Sequence, residues 1–140
     1  METGIYMIRN GDNFVGRYPI EDRSLNPKRV VVMPPNMQPL PNPWMVEANG
    51  DGTYNLMTGG SPGCAAIDQK LYAALIEEMV DSKSWTITPA GGGNFVVQKP
   101  GEDAVWDTGN AEPGMQAQLQ VVGQNGAPSQ LFTFIRMDRE

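Results

Sequence analysis

The chain has 140 residues, 40% of them hydrophobic, which is enough for one domain with a core of its own. Its net charge of −6 argues against a nucleic-acid binder, because phosphate contacts require clustered Lys and Arg. Histidine is absent and Cys64 is the only cysteine, which excludes a Cys/His metal site, an internal disulfide and the usual general base of an enzyme.

The first half of the chain predicts five short strands separated by turns. They span residues 5–9, 13–18, 29–33, 44–47 and 53–57. Asn10-Gly11 joins the first two, and an Asn-Gly pair between strand-like runs is a strong hairpin signal. The proline-rich segment 34–43 lacks the PxxP spacing of an SH3 or WW ligand, so we predict an extended connector there.

The second half continues the alternation of short strands and turns. Strands are predicted at residues 64–67, 71–76, 85–88, 95–98, 104–106, 117–122 and 131–135. One segment conflicts with this pattern, because 69–82 places Leu71, Leu75 and Met79 at helical spacing. The repeat described next requires a strand within 70–76, and we predict a strand there.

A phrase of glycine, aromatic and aliphatic residues at alternate positions occurs three times. Its copies are Gly4-Ile5-Tyr6-Met7-Ile8, Gly52-Thr53-Tyr54-Asn55-Leu56 and Gly93-Asn94-Phe95-Val96-Val97. Trp44 and Trp85 each precede the aromatic of a later copy by 10 residues, and Phe132 stands where a third tryptophan would. Twelve strands in three similar groups of four predict an all-β fold, the β-trefoil, in which a six-stranded barrel carries a hairpin cap.

We therefore predict a single β-trefoil domain over residues 1–140, with repeats at roughly 1–43, 44–84 and 85–140. The aromatic and aliphatic residues of each phrase share one face of a strand and should fill the barrel. We interpret the two tryptophans as structural anchors. Cys64 is interpreted as a buried thiol, because the chain has no histidine to activate it.

One connection breaks the threefold pattern. The segment 19–29, between the second and third strands, contains Arg23, Lys28 and Arg29, three of the ten basic residues. The corresponding connection in the second repeat is very short, and that in the third, 107–114, has no Lys or Arg. A solvated polar loop is the ordinary interpretation of such a segment, but its length and charge favour a binding site.

The same segment carries a resemblance to a known family. The run Glu21-Asp22-Arg23-Ser24-Leu25-Asn26-Pro27-Lys28-Arg29, with the chain start Glu2-Thr3-Gly4-Ile5-Tyr6 and the end Phe134-Ile135-Arg136-Met137-Asp138-Arg139-Glu140, resembles the mushroom β-trefoil serine protease inhibitors. These are the cospin-like inhibitors of trypsin, and the similarity covers essentially the whole chain. It implies a tight, reversible inhibitor with no enzyme activity and no cofactor, whose role is defence against ingested or invading proteases. The loop between strands two and three would present an Arg or Lys to a trypsin-like protease.

The implied reactive loop has a favoured P1 residue, the one that enters the specificity pocket of the protease. Arg23 is favoured because it lies near the middle of the loop, followed by the small Ser24 as P1′. Lys28 is the alternative P1 residue, and Arg29 ranks third. The remaining predicted contact residues are Asp22, Leu25, Asn26 and Pro27.

Other functions and sites remain open on the same fold. A carbohydrate-binding lectin would use exposed aromatics, for which Tyr72 and Trp106 are candidates. A cysteine-protease inhibitor would use other loops and would not need Arg23. Some members of the resembling family use the loop between strands eleven and twelve, but here that loop, 123–129, has no basic residue for a second trypsin site.

The sequence also bears on where the protein acts and with what. No apolar run reaches the length of a membrane span, and residues 1–20 lack the basic-then-apolar layout of a signal peptide. We expect a monomer that is cytoplasmic or non-classically secreted. Its expected partner is a trypsin-like serine protease, with no nucleic acid and no membrane.

Overall fold

The computed structural model of the chain describes residues 1–17, 26–36, 41–59, 61–75, 84–109 and 118–137. Twelve β-strands lie within these ranges: β1 (Gly4–Asn10), β2 (Asn13–Arg17), β3 (Lys28–Met33), β4 (Trp44–Ala48), β5 (Thr53–Thr58), β6 (Gly63–Ile67), β7 (Lys70–Ala74), β8 (Ser84–Gly91), β9 (Asn94–Gln98), β10 (Val105–Asp107), β11 (Gln120–Val122) and β12 (Thr133–Arg136). A short 3-10 helix, Pro128–Gln130, precedes β12. Within the described ranges, no helix has the length and apolar character needed to cross a membrane.

Six of these strands close into a barrel. β1 pairs with β4, β4 with β5, β5 with β8 and β8 with β9, all antiparallel. Phe95 of β9 and Phe132, just before β12, exchange backbone hydrogen bonds of 2.7 and 2.9 Å. β12 then pairs with β1, which completes the ring. The six-stranded barrel predicted from the repeat is confirmed.

The other six strands form the cap, which consists of the hairpins β2–β3, β6–β7 and β10–β11. β7 pairs with both β3 and β11. A backbone bridge between Val31 and Gln118 joins β3 to the segment that leads into β11. Each hairpin of the cap therefore contacts the other two, and barrel and cap together form the predicted β-trefoil.

The repeated phrase reappears in the barrel as three matched aromatic pairs. They are Tyr6 opposite Trp44, Tyr54 opposite Trp85, and Phe95 opposite Phe132. Phe132 therefore occupies the place of a third tryptophan, as the spacing predicted.

Trp106 lies outside the repeated phrase, and its ring contacts those of Trp44, Trp85 and Phe132. The ring centroids of Trp44, Trp85 and Phe132 lie 5.5, 5.7 and 5.8 Å from that of Trp106. None of the four side chains is more than 1% exposed. Tilted and edge-to-face contacts at these distances are favourable for aromatic rings, so Trp106 is the centre of the core.

The aliphatic residues of the repeated phrase complete the core. Ile8, Leu56 and Val97 are 0% exposed, and burying each side chain stabilises the fold by about 2 kcal/mol. Cys64 is buried in the same cluster, as predicted. The indole N–H of Trp44 donates to the carbonyl of Val15 at 2.8 Å, and this bond joins the barrel to the β2–β3 hairpin of the cap.

In residues 69–75, the described part of the segment 69–82, the conflict is resolved in favour of the strand, and residues 76–82 lie outside the described ranges. Lys70–Ala74 forms β7, as predicted, although the local composition favours a helix. β7 pairs with β6 on one side and with β3 and β11 on the other, and its own residues Leu71 and Ala73 are buried. These tertiary pairings outweigh a helix propensity of a few tenths of a kcal/mol per residue, as is typical of local propensities.

Strand ends differ from the predictions by a few residues. β8 continues past the predicted residue 88 to Gly91, through a β-bulge between Pro89 and Gly91. β3 begins at Lys28, one residue before its predicted start, because Lys28 pairs with Ala73 of β7. The earlier start of β3 places Lys28, the alternative P1 residue, within the sheet.

Candidate functional site

The connection between β2 and β3 joins the two strands of a regular hairpin in the cap. Four residue pairs hold the two strands together, the last of them between Arg17 and Val30. Asn26 is exposed and Pro27 is half-buried where the chain returns to β3. The predicted site residues that lie outside the described ranges are Asp22, Arg23, Ser24 and Leu25.

Lys28 and Arg29 are held in the sheet at the end of this connection. In the pairing of β3 with β7, Lys28 lies opposite Ala73 and Arg29 opposite Tyr72. Lys28 is only 6% exposed and Arg29 is half-buried. Lys28 is therefore a buried residue of β3 and does not protrude from the connection.

Neighbouring connections pack against the start of the same loop. Nη1 of Arg17 donates to the carbonyl of Gly59, between β5 and β6, at 2.8 Å. Gly59 has a φ of +60°, and a Cβ there would lie 3.0 Å from Arg17 Nη1 and 3.2 Å from Asn42 Nδ2. A Cβ on Gly16 would lie 3.2 Å from Pro41. Sequence reasoning missed these contacts, because nothing in the chain pairs residue 17 with residue 59.

The corresponding connections of the other two cap hairpins differ. β6 and β7 are joined by Asp68 and Gln69 alone, with φ values of 51° and 63°. β10 and β11 are joined by residues 108–119, of which 110–117 lie outside the described ranges. Neither connection contains Lys or Arg.

The connection between β11 and β12 is held by polar contacts of the buried Gln130, which the sequence did not indicate. Gln130 is 1% exposed and donates to Asp107 Oδ2 and to the carbonyl of Gly123, both at 3.0 Å. Its Oε1 accepts from the backbone N–H of Asn125 at 2.9 Å. Asp107 Oδ1 accepts in turn from the N–H of Gly109 at 2.7 Å. This network fixes the connection to the end of β10.

The two aromatic residues predicted as candidates for sugar binding, Tyr72 and Trp106, do not form an exposed surface on which a sugar ring could stack. Trp106 is 0% exposed at the centre of the core, so its assignment as a sugar-binding aromatic is wrong. A sugar ring can stack only on an accessible face. Tyr72 is half-buried on β7, opposite Arg29.

Cys64 offers no reactive group. Burial raises the pKa of its thiol far above the ordinary value of 9.0, so the thiolate does not form at physiological pH. The described residues contain no group of three or more His, Cys, Asp or Glu that could hold a metal ion.

Relatives of the chain are protease inhibitors. The family model described as "Peptidase inhibitor I66" matches residues 1–136. A serine protease inhibitor from Lentinula edodes is 39% identical over 108 residues, which are 76% of this chain and 73% of that protein. These matches confirm the family resemblance noted from the loop and the two chain ends.

Solved structures agree with this relationship. A proteinase inhibitor from Coprinopsis cinerea has a TM-score of 0.85 and 30% identity, over 98% of this chain and 99% of that chain. ThreeFoil, a designed protein with threefold symmetry, has a TM-score of 0.73 and 16% identity, over 96% of this chain and 99% of that chain, which shows the fold alone. The protein is thus an inhibitor of proteases and not an enzyme, and it belongs to the peptidase inhibitor family I66.

Proposed function

We propose that the protein inhibits a trypsin-like serine protease and that Arg23 is its P1 residue. The connection between β2 and β3 presents Arg23 in a substrate-like conformation, with Ser24 as P1′. The flanking residues Asp22, Leu25, Asn26 and Pro27 contact the cleft of the protease.

The observation that carries this proposal is the difference among the three cap hairpins. Ten residues join β2 to β3, two join β6 to β7, and twelve join β10 to β11. Arg23 is the one Lys or Arg in the sequence of these three connections. A trypsin-like pocket holds a buried Asp and therefore requires a long cationic side chain. Of the three connections, only the one between β2 and β3 supplies such a side chain.

The placement of Lys28 and Arg29 favours Arg23 over both of them. A P1 side chain must protrude, and the backbone around it must be available to pair with the enzyme. The backbones of Lys28 and Arg29 already pair with β7, and the side chain of Lys28 is buried. Either residue could enter a protease pocket only if the β3–β7 pairing opened.

The hairpin that carries the connection explains inhibition in preference to turnover. The pairs between β2 and β3 reach Arg17 and Val30, so both ends of the connection are fixed before the protease binds. Fixed ends reduce the entropy lost on binding. If the protease cleaves the loop, the paired strands keep the two new chain ends close together, which favours resealing of the bond.

Substitution of Arg23 tests the proposal. A charged side chain that is paired in a desolvated pocket contributes several kcal/mol, so Arg23→Asn should weaken trypsin inhibition by about a thousandfold or more. Arg23→Leu should transfer inhibition towards chymotrypsin, whose pocket is a hydrophobic slot. Both variants should keep the thermal midpoint of the parent protein.

Lys28→Asn is the matched control for these variants. It should leave the inhibition constant for trypsin nearly unchanged and lower the thermal midpoint, because Lys28 is buried in β3. Full inhibition by Arg23→Asn together with loss in Lys28→Asn would move the site to Lys28, and loss in neither would refute the loop. Titration against papain in parallel tests the cysteine-protease alternative.

A further inference from the structure

Arg17 is the last described residue before the β2–β3 connection. Its side chain reaches the segment between β5 and β6, where Nη1 donates to the carbonyl of Gly59 at 2.8 Å. The backbone of Arg17 is fixed independently by its pairing with Val30. The residue therefore ties the start of the connection to two different parts of the fold.

Gly59 is shaped to receive this side chain. Its φ of +60° lies in the left-handed region, where a residue with a Cβ is strained. A Cβ at this position would also lie 3.2 Å from Cδ of Arg17 and 3.2 Å from Nδ2 of Asn42. Glycine at position 59 thus allows the guanidinium of Arg17 to approach the carbonyl of Gly59.

We propose that the contact between Arg17 and Gly59, here called the Arg17 clamp, keeps the reactive connection in its inhibitory state. Arg17 is a positioning residue. It fixes the direction in which the chain leaves β2, and thereby the position in which the Arg23–Ser24 bond is presented to the protease. The inference rests on the proposed function of that connection. A loop released from the clamp can still enter the protease, but it does so as a substrate, because more conformations must be ordered and the cleaved ends separate more easily.

The strength of a charge-assisted hydrogen bond sets the size of the expected effect. The bond between Arg17 and Gly59 is exposed to solvent, so it is worth roughly a twofold to tenfold change in an equilibrium constant, less than a buried bond of this kind. Arg17→Met, which keeps an aliphatic side chain and removes the donors, should raise the inhibition constant by about that factor. It should also speed hydrolysis of the Arg23–Ser24 bond, seen as inhibition that fades during incubation with catalytic amounts of trypsin.

Arg17→Lys and Arg136→Met are the matched variants. Lysine can still donate one hydrogen bond to Gly59, so Arg17→Lys should recover part of the affinity and slow the cleavage again. Arg136 makes the same kind of bond, from Nη2 to the carbonyl of Thr3 at 2.9 Å, but it joins β12 to the start of the chain. Arg136→Met should lower the thermal midpoint without faster cleavage of the loop.

The measurements are the inhibition constant, the rate of loop cleavage by mass spectrometry and the thermal midpoint of each variant. Faster cleavage after Arg23 in Arg17→Met, with Arg136→Met unchanged, supports the clamp. Equal cleavage rates in Arg17→Met and the parent protein overturn it, as does the same acceleration in Arg136→Met. Failure of the proposed function has a different signature, since trypsin inhibition would then survive Arg23→Asn.

Discussion

Trp44 and Trp106 are buried to the same extent but differ in one hydrogen bond. The indole N–H of Trp44 donates to the carbonyl of Val15 at 2.8 Å, whereas that of Trp106 has no acceptor among the described residues. Both side chains are 0% exposed and belong to the same aromatic cluster. Replacing each by phenylalanine removes a similar volume, so the difference between the two variants isolates the N–H group.

The structure gives the expected size of that difference. Truncation of a buried Trp to Phe leaves a small cavity and should cost about 1–2 kcal/mol, a fraction of the cost of truncation to Ala. Trp44→Phe also loses a hydrogen bond worth roughly 1 kcal/mol, and more if Val15 is left without a partner. Trp106→Phe instead removes a buried donor whose desolvation costs about 1–3 kcal/mol, which offsets the cavity. We expect Trp44→Phe to destabilise by about 2–4 kcal/mol and Trp106→Phe by less than about 1 kcal/mol.

Urea unfolding followed by far-UV circular dichroism measures both values, since the substitutions alter tryptophan fluorescence. The two variants and the parent protein should share one slope with urea concentration, so that the midpoints report stability alone. Equal destabilisation by the two substitutions would refute the reasoning. It would mean that cavity formation dominates and that the unpaired indole N–H of Trp106 costs nothing.

Two further predictions concern buried polar and titratable groups. Cys64 should resist thiol reagents until the protein unfolds, and the free energy of unfolding should fall as pH rises above 9.0, because the unfolded thiol then releases a proton that the native thiol keeps. The loss is about 1.4 kcal/mol at one pH unit above that value, and urea titrations in which Cys64→Ala shows the same decline would contradict this assignment. Gln130→Leu should cost about 1–3 kcal/mol, because Asp107 loses a buried hydrogen bond while the more exposed Gly123 and Asn125 each lose one that water can replace. Trypsin inhibition should persist in this variant, and its loss in a protein that still unfolds cooperatively would implicate the connection between β11 and β12.

The sequence predicted the barrel because its signal is periodic. Tyr6, Tyr54 and Phe95 recur with the same neighbours, and residues at alternate positions in a strand must share a face. Phe132 was placed correctly by spacing alone. A repeat also makes exceptions visible, which is how the β2–β3 connection was identified.

Features made by single residues from distant parts of the chain could not be predicted in this way. Trp106 has no counterpart in the repeated phrase, so nothing in the sequence marked it as the centre of the core. The sequence alone left Lys28 as a candidate P1 residue. Its burial could not be predicted, because it depends on pairing with β7, which lies more than 40 residues further along the chain. The bond from Arg17 to Gly59 likewise joins two elements that only the folded chain brings together.

Closure of the barrel has a consequence for a protein whose partners are proteases. A protease holds its substrate as an extended segment whose backbone groups pair with the enzyme, much as an added strand pairs with the edge of a sheet. Each of the six barrel strands already has a neighbour on both sides, so none offers an unpaired edge to the enzyme. The barrel is thus a poor substrate by construction, because its strands have no free edge with which a protease could pair.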